Sequence, residues 1–224
     1  MKRSEINHLM MEAKEFFHQC HFHLPPWAFW SPSDWKDKYE TCSEIIDHQL
    51  GWDITDFGRN DFSKYGLLLF TIRNGSLEKG TKKYSEKVMI VNEEQVTPLH
   101  FHWSKTEDII NRGGGNLMME LYLADNNDHL TEKSFTISMD GITRNLNAGD
   151  KLTLTPGESI TLVPFLTHLF YGEKGKGKVL VGEVSSVNDD KTDNCFIDEV
   201  GRFPLIDEDE EPLHLLVSDY PNYI

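Results

Sequence analysis

The sequence predicts a mainly β fold, a sandwich or barrel, carrying a helical and aromatic N-terminal extension. Three observations carry this. From about residue 62 onward the chain is a succession of short apolar runs separated by turn pairs, with turn signals roughly every 8–12 residues. The first twenty residues instead follow the helical period. The 224-residue length suits one domain with an extension, and no internal repeat is visible.

In the first segment Ile6, Leu9, Met10, Ala13, Phe16, Phe17 and Cys20 fall at three-and-four spacing, so they share one helix face. Ser4 is placed to cap that helix, and Pro25-Pro26 forbids its continuation. Trp27, Phe29, Trp30 and Trp35 follow. Ser31-Pro32 reads as a second helix start, and a helix from Tyr39 to Leu50 would end at Gly51. The extension is therefore expected over 1–61 and the barrel over 62–224. Strands are expected over 66–73, before the turn Asn74-Gly75, and over 87–91, 97–103, 117–123 and 134–138. The Asp140-Gly141 and Asn147 to Asp150 turns precede further strands at 151–155, 159–163, 168–171 and 178–185.

The formal net charge of -15 sets limits on partners. Nucleic acid and anionic membranes need a basic footprint, and a strongly anionic substrate would need a local basic pocket. The acidic run Asp207 to Glu211 reads as a solvated segment. Three widely spaced cysteines without a C-x-x-C pair speak against a disulfide framework and for a reducing compartment. No signal peptide is evident, and no run approaches the roughly 20 apolar residues of a membrane span. A soluble cytoplasmic protein is the expectation.

The chemistry concentrates in Pro98-Leu-His-Phe-His-Trp-Ser-Lys-Thr-Glu107. Residues two apart on a strand share a face, so His100 and His102 project together and Phe101 turns away. A turn at Ser104 would start the next strand and aim Lys105 and Glu107 into the same space. Two imidazoles and a carboxylate form most of a mixed nitrogen–oxygen metal site. His168, flanked by Phe165, Leu166, Leu169 and Phe170, is the candidate fourth ligand, because an imidazole is costly to bury unless its nitrogens are used. The alternatives are ordinary ones: exposed strand histidines for the pair, and a hydrogen-bonded core histidine for His168.

The spacing of His100, His102, Glu107 and Gly114 resembles the first motif of the cupins, with Gly149, Pro164 and His168 in the roles of the second. Glu94 stands where the first motif has a leading Gly, and Pro164 to His168 is one residue short and lacks its Gly. The resemblance implies a double-stranded β-helix, or jelly-roll, barrel. More closely, the chain resembles the D-lyxose isomerases, a cupin family of aldose–ketose isomerases. That resemblance extends to Leu24 to Pro32, Gly182 to Asp190, Thr192 to Asn194 and Gly201 to Pro204. It implies a manganese-dependent homodimer interconverting D-lyxose and D-xylulose, and D-mannose and D-fructose.

Such a reaction moves a proton between C1 and C2 through an enediolate, whose charge a metal can stabilise. Three His and one Glu would leave two positions of an octahedral ion for the sugar, and Mn, Fe, Co, Ni or Zn all suit these donors. Lys105 is the candidate for proton handling or oxyanion stabilisation, against a solvated turn lysine. Glu183, within the apolar run 179–184, is the candidate base or sugar ligand, against an outward polar residue. Asp189, Asp190 and Asp193 are turn formers, one of which could reach sugar hydroxyls. Trp103 could wall the pocket, and Trp27, Phe29 and Trp30 could cover its mouth, although core packing explains each singly. A sugar-phosphate isomerase, a metal-dependent dioxygenase and a non-catalytic sugar-binding barrel are the competing functions.

Overall fold

The computed structural model describes residues 1–78, 80, 82–189, 192–201 and 204–224. Helix α1 (Arg3–Gln19) is followed by two short 3-10 turns, Pro26–Phe29 and Pro32–Trp35, and by α2 (Tyr39–Asp47). The strands are β1 (Gly51–Thr55), β2 (Leu67–Asn74), β3 (Tyr84–Val91), β4 (Thr97–Phe101), β5 (Glu107–Gly114), β6 (Leu117–Ala124) and β7 (Leu130–Thr131). They continue with β8 (Phe135–Met139), β9 (Ile142–Leu146), β10 (Asp150–Leu154), β11 (Ser159–Leu162), β12 (Leu166–Gly172), β13 (Val179–Ser186) and β14 (Cys195–Phe196). A last turn of helix, α3 (Tyr220–Tyr223), ends the chain.

The strands form two curled antiparallel sheets. The larger runs β1-β2-β3-β13-β5-β11-β8-β9 and the smaller β10-β6-β12-β4-β14, with β7 beside β6. Neighbours far apart in sequence, such as β3 beside β13 and β4 beside β12, roll the chain into the expected jelly-roll barrel. The larger sheet takes its first strand from Gly51, inside the segment expected to precede the barrel.

Strand parity explains the core. Leu67, Met89, Val91, Val179 and Val181 point inward and meet Met119, Leu121, Leu166 and Phe170 from the smaller sheet. Their alternates Leu68, Phe70, Val88, Ile90 and Leu180 point outward and are covered by Ile6, Met10, Ala13 and Phe17 of α1. This is why the 66–73 run is apolar without alternation: both its faces are buried. Each such side chain contributes about 1.5–3 kcal/mol on burial, so α1 belongs to the barrel's second core.

Three expectations change in detail. Ser4 does not cap α1; the helix starts after Lys2, and Ser4 Oγ donates to Asp209 at 2.8 Å. The acidic run is only partly solvated, because Glu208 and Asp209 tie down the N-terminus. Arg3, 1% exposed, donates to both Glu208 oxygens at 2.7 Å and both Asp219 oxygens at 2.9 Å. Finally, Ser31-Pro32 starts a single 3-10 turn rather than a helix. The glycine run at 113–115 carries the chain from β5 in the larger sheet to β6 in the smaller. Gly114 has φ +84, and a side chain there would strike the Lys178 carbonyl.

Candidate active site

The site forms where the two sheets face each other at one end of the barrel. His168 on β12 lies opposite His100 on β4 in the antiparallel register. His102 lies just past the end of β4, and Glu107 opens β5 across the barrel in the other sheet. The connection from 102 to 106 is fixed by Asp193. Its carboxylate accepts from Ser104 N and Lys105 N, each at 2.8 Å, and its main-chain carbonyl accepts from His102 Nδ1 at 2.7 Å.

All four expected ligands are buried, and the three imidazoles each offer a nitrogen within 4.8 Å of the others'. Every Nδ1 faces a backbone carbonyl: Pro98 O at 2.8 Å for His100, Asp193 O at 2.7 Å for His102, and Leu166 O at 3.1 Å for His168. A carbonyl accepts only, so Nδ1 carries a proton, and in the neutral ring Nε2 presents a lone pair. Nε2 of His102 and of His168 has no hydrogen-bond partner, yet each lies 3.3 Å from Glu107 Oε1. With neutral rings that approach sets lone pair against carboxylate oxygen, an arrangement that a cation between them would satisfy.

Electrostatics agree with that reading. Burial, reinforced by His168 and His102, pushes His100 well below the usual imidazole range, so it is neutral. Burial opposes ionisation of Glu107, but the Lys105 ammonium at 2.7 Å holds its carboxyl well below the usual carboxylate range. Neutral imidazoles and an ionised carboxylate are the protonation states a divalent metal needs. The residues therefore fit such an ion. Phe196 of β14 stacks on the His100 ring, with centroids 5.0 Å apart, and fixes its plane.

Lys105 extends from the fixed turn into a buried network. Its Nζ meets Glu107 Oε2 at 2.7 Å, Glu183 Oε1 at 3.1 Å and Asn188 Oδ1 at 3.3 Å. A cavity of about 260 Å³ opens beside these groups, lined by the three histidines, Glu107, Lys105, Glu183, Lys87, Asp53, Thr97 and Asn194 and by the apolar Phe57, Phe170 and Phe196.

The other expected residues lie elsewhere. Asp193 holds the turn from outside the cavity. Asp189 accepts from Thr192 Oγ1 at 2.6 Å and, with Trp103 and Asp193, borders a separate surface depression. Trp103 is 39% exposed, and its Nε1 donates to Asp128 at 2.9 Å. Phe29 is 47% exposed beside His214. Neither is among the described residues that line the cavity. Trp27 packs on Phe70, on the outer face of the larger sheet, and Trp30 packs edge-on against Trp35, as the core-packing alternative has it. Asp190, Arg202 and Phe203 lie outside the described residues.

Sequence reasoning missed Lys87 and Asn188. A signal existed for Lys87, because it shares strand parity with the inward Met89 and Val91. Asn188 follows the last residues of β13 in a loop, where no periodicity points to it.

Comparison with known proteins decides the family. The family described as D-lyxose isomerase matches residues 1–220. The chain belongs to the D-lyxose isomerase family. The D-lyxose/D-mannose isomerase of Escherichia coli O157:H7 is 51% identical over 228 residues, covering 100% of both chains. That of Serratia proteamaculans is 49% identical over 227 residues, again across 100% of both. Among solved structures, Cellulomonas parahominis L-ribose isomerase with L-ribose superposes with a TM-score of 0.62 at 15% identity, covering 92% of this chain and 98% of that one. This last likeness speaks to the fold alone. As a member of the family the chain is an aldose–ketose sugar isomerase. Among the described residues, no helix is long and apolar enough to cross a membrane.

Proposed function

We propose that this chain interconverts D-lyxose and D-xylulose, and D-mannose and D-fructose, with a divalent metal held by His100, His102, Glu107 and His168. The observation that carries the reading is the pair of buried, unpartnered Nε2 atoms of His102 and His168 facing Glu107. The E. coli and Serratia relatives, named for D-lyxose and D-mannose, support the choice of sugars. Mn²⁺ is the ion we assign; the donor set also admits Co²⁺, Fe²⁺, Ni²⁺ or Zn²⁺. When bound, the cation supplies Lewis acidity for the negative charge that develops on the sugar oxygens.

The chain's own residues handle the protons. Glu183 takes the proton from C2 of the aldose and returns it to C1. Lys105 gives an ammonium proton to O1 and takes one back from O2, so that the hydroxyl proton moves from O2 to O1. Its ammonium, anchored on Glu107 and Glu183, also stabilises the enediolate. The apolar Phe57, Phe170 and Phe196 limit water around the reacting carbons. A free rather than a phosphorylated sugar fits the charges. The ammonium groups lining the cavity among the described residues, Lys87 and Lys105, already engage Glu183, Glu107 and Asn188. The reading includes the cytoplasmic homodimer that the family resemblance implies.

The test incubates purified protein with D-lyxose or D-mannose, with Mn²⁺ and after chelation, and measures ketose. Turnover that chelation abolishes and Mn²⁺ restores is expected. No turnover of either sugar with any of the five metals would overturn the reading.

A further inference from the structure

We propose that Lys87 is a positioning residue of the isomerase: it pins one oxygen of Glu183 so that the other faces the sugar. The inference rests on the proposed role of Glu183 as the carbon base. It starts from a cost. Lys87 is 6% exposed, and withdrawing an ammonium from water is expensive. A buried ion pair generally adds little stability over packed apolar residues, so stability alone does not explain Lys87.

The geometry does. Lys87 on β3 stands opposite Glu183 on β13 in the antiparallel register. Its Nζ lies 3.4 Å from Glu183 Oε1 and 2.6 Å from Asn188 Oδ1. Lys105 Nζ approaches the same two oxygens, at 3.1 and 3.3 Å. Two ammoniums and two acceptors thus alternate around a closed diamond. Asn188 is itself clamped by Asn74. Its N–H donates to Asn74 Oδ1 at 3.0 Å, and its carbonyl accepts from Asn74 Nδ2 at 3.0 Å.

The contacts of Glu183 are one-sided. Lys87, Lys105 and the Ser185 hydroxyl at 3.3 Å all reach Oε1. Oε2 receives no hydrogen bond among the described residues, which leaves its lone pairs for a proton. Lys105 comes from the β5 side and Lys87 from the β3 side, so together they stop the carboxylate from swinging towards either neighbour. Without Lys87 the carboxylate follows Lys105 alone, and Oε2 loses its aim. A misplacement of about 1 Å in a reacting group can cost on the order of 10²-fold in rate.

The experiment compares Lys87→Met, Lys87→Arg and Asn188→Ala with the wild type, measuring kcat and KM for D-lyxose, Mn²⁺ affinity by calorimetry, and the crystal structure of Lys87→Met. Expected for Lys87→Met is a kcat lower by roughly 10²-fold with KM and Mn²⁺ affinity within about twofold. Lys87→Arg should recover about tenfold, because its fork still spans both acceptors. A raised KM at unchanged kcat would overturn the inference by making Lys87 a sugar ligand, and unchanged kinetics would overturn it outright. Should Lys87→Met fail to fold, full kcat in Asn188→Ala, which removes the acceptor that holds Lys87, overturns it instead. A wild type inactive on both sugars would sink the assigned reaction. The Lys87 inference would still be judged by the Lys87→Met crystal structure, where an unmoved Glu183 carboxylate refutes it.

Discussion

Replacing Asp193 by Ala removes the side-chain acceptors of two backbone N–H groups in the turn that carries His102 and Lys105. In the native chain the Asp193 carboxylate, 8% exposed, accepts from Ser104 N and Lys105 N at 2.8 Å each. A hydrogen bond to a charged acceptor contributes about 1.5–3 kcal/mol. The Lys105 N–H is buried and finds no substitute in the variant. The Ser104 N–H is nearer the surface, and water recovers part of its bond. The expected cost is therefore about 2–4 kcal/mol. For a chain of this size each kcal/mol lowers Tm by roughly 2–4 °C, so a fall of about 5–15 °C is expected. His102 keeps its own anchor, because alanine retains the main-chain carbonyl that accepts from its Nδ1. Mn²⁺ affinity should then fall by only about tenfold, the low end for a residue that orients a ligand. Asp193→Asn keeps one carbonyl oxygen but turns an amide donor toward an N–H, so its Tm should lie between the two. Scanning calorimetry and Mn²⁺ titration measure both effects. A Tm for Asp193→Ala within about 1 °C of wild type would show that the turn is held by other contacts and refute the reasoning.

Two further outcomes follow from the same geometry. Lys105→Met should lower kcat by about 10²–10⁴-fold, as expected for loss of a general acid, while Mn²⁺ still binds, since an ammonium offers the ion no lone pair; steady-state kinetics with calorimetry would show it. Arg3→Met leaves the buried Asp219 without its cation and should cost about 3–5 kcal/mol, read as a lower Tm. This deficit is pH-dependent. The hydrogen bond from Arg3 holds Glu208 below the usual carboxylate range, so its contribution is complete above the unfolded value of about 4.3 and is lost as pH falls through the folded value. The Tm gap between wild type and Arg3→Met should narrow from roughly pH 6 to roughly pH 3, and a constant gap would refute the assignment.

Local patterns made much of the chain legible. The three-and-four spacing of Ile6 to Phe17 gave α1 because a helix face needs only residues within one turn of each other. Turn pairs such as Asn74-Gly75 and Asp140-Gly141 bounded strands for the same reason. His100, His102, Lys105 and Glu107 could be read as one group because a single strand and turn connect them. Glu183 was readable as inward only in part, since an apolar strand buried on both faces has lost the alternation that shows direction.

Strand pairing decided the rest. Whether His168 meets His100 depends on the register of β12 on β4, and whether Lys87 meets Glu183 on that of β3 on β13. Asp193 was legible only as a turn former, while its grip on the 102–105 turn appears once the chain returns to that turn from far along the sequence. The aromatic stretch illustrates the opposite limit. Its composition suits a sugar lid as well as a core, and the outward parity of Phe70 is what places Trp27 against the sheet. Sequence alone determined most of the elements, the family resemblance and the chemistry within one strand and its turn, because those depend on neighbours along the chain. The tertiary structure decided which side chains share the cavity and which oxygen of Glu183 is held, because contacts between distant strands are set by register, which no local pattern encodes.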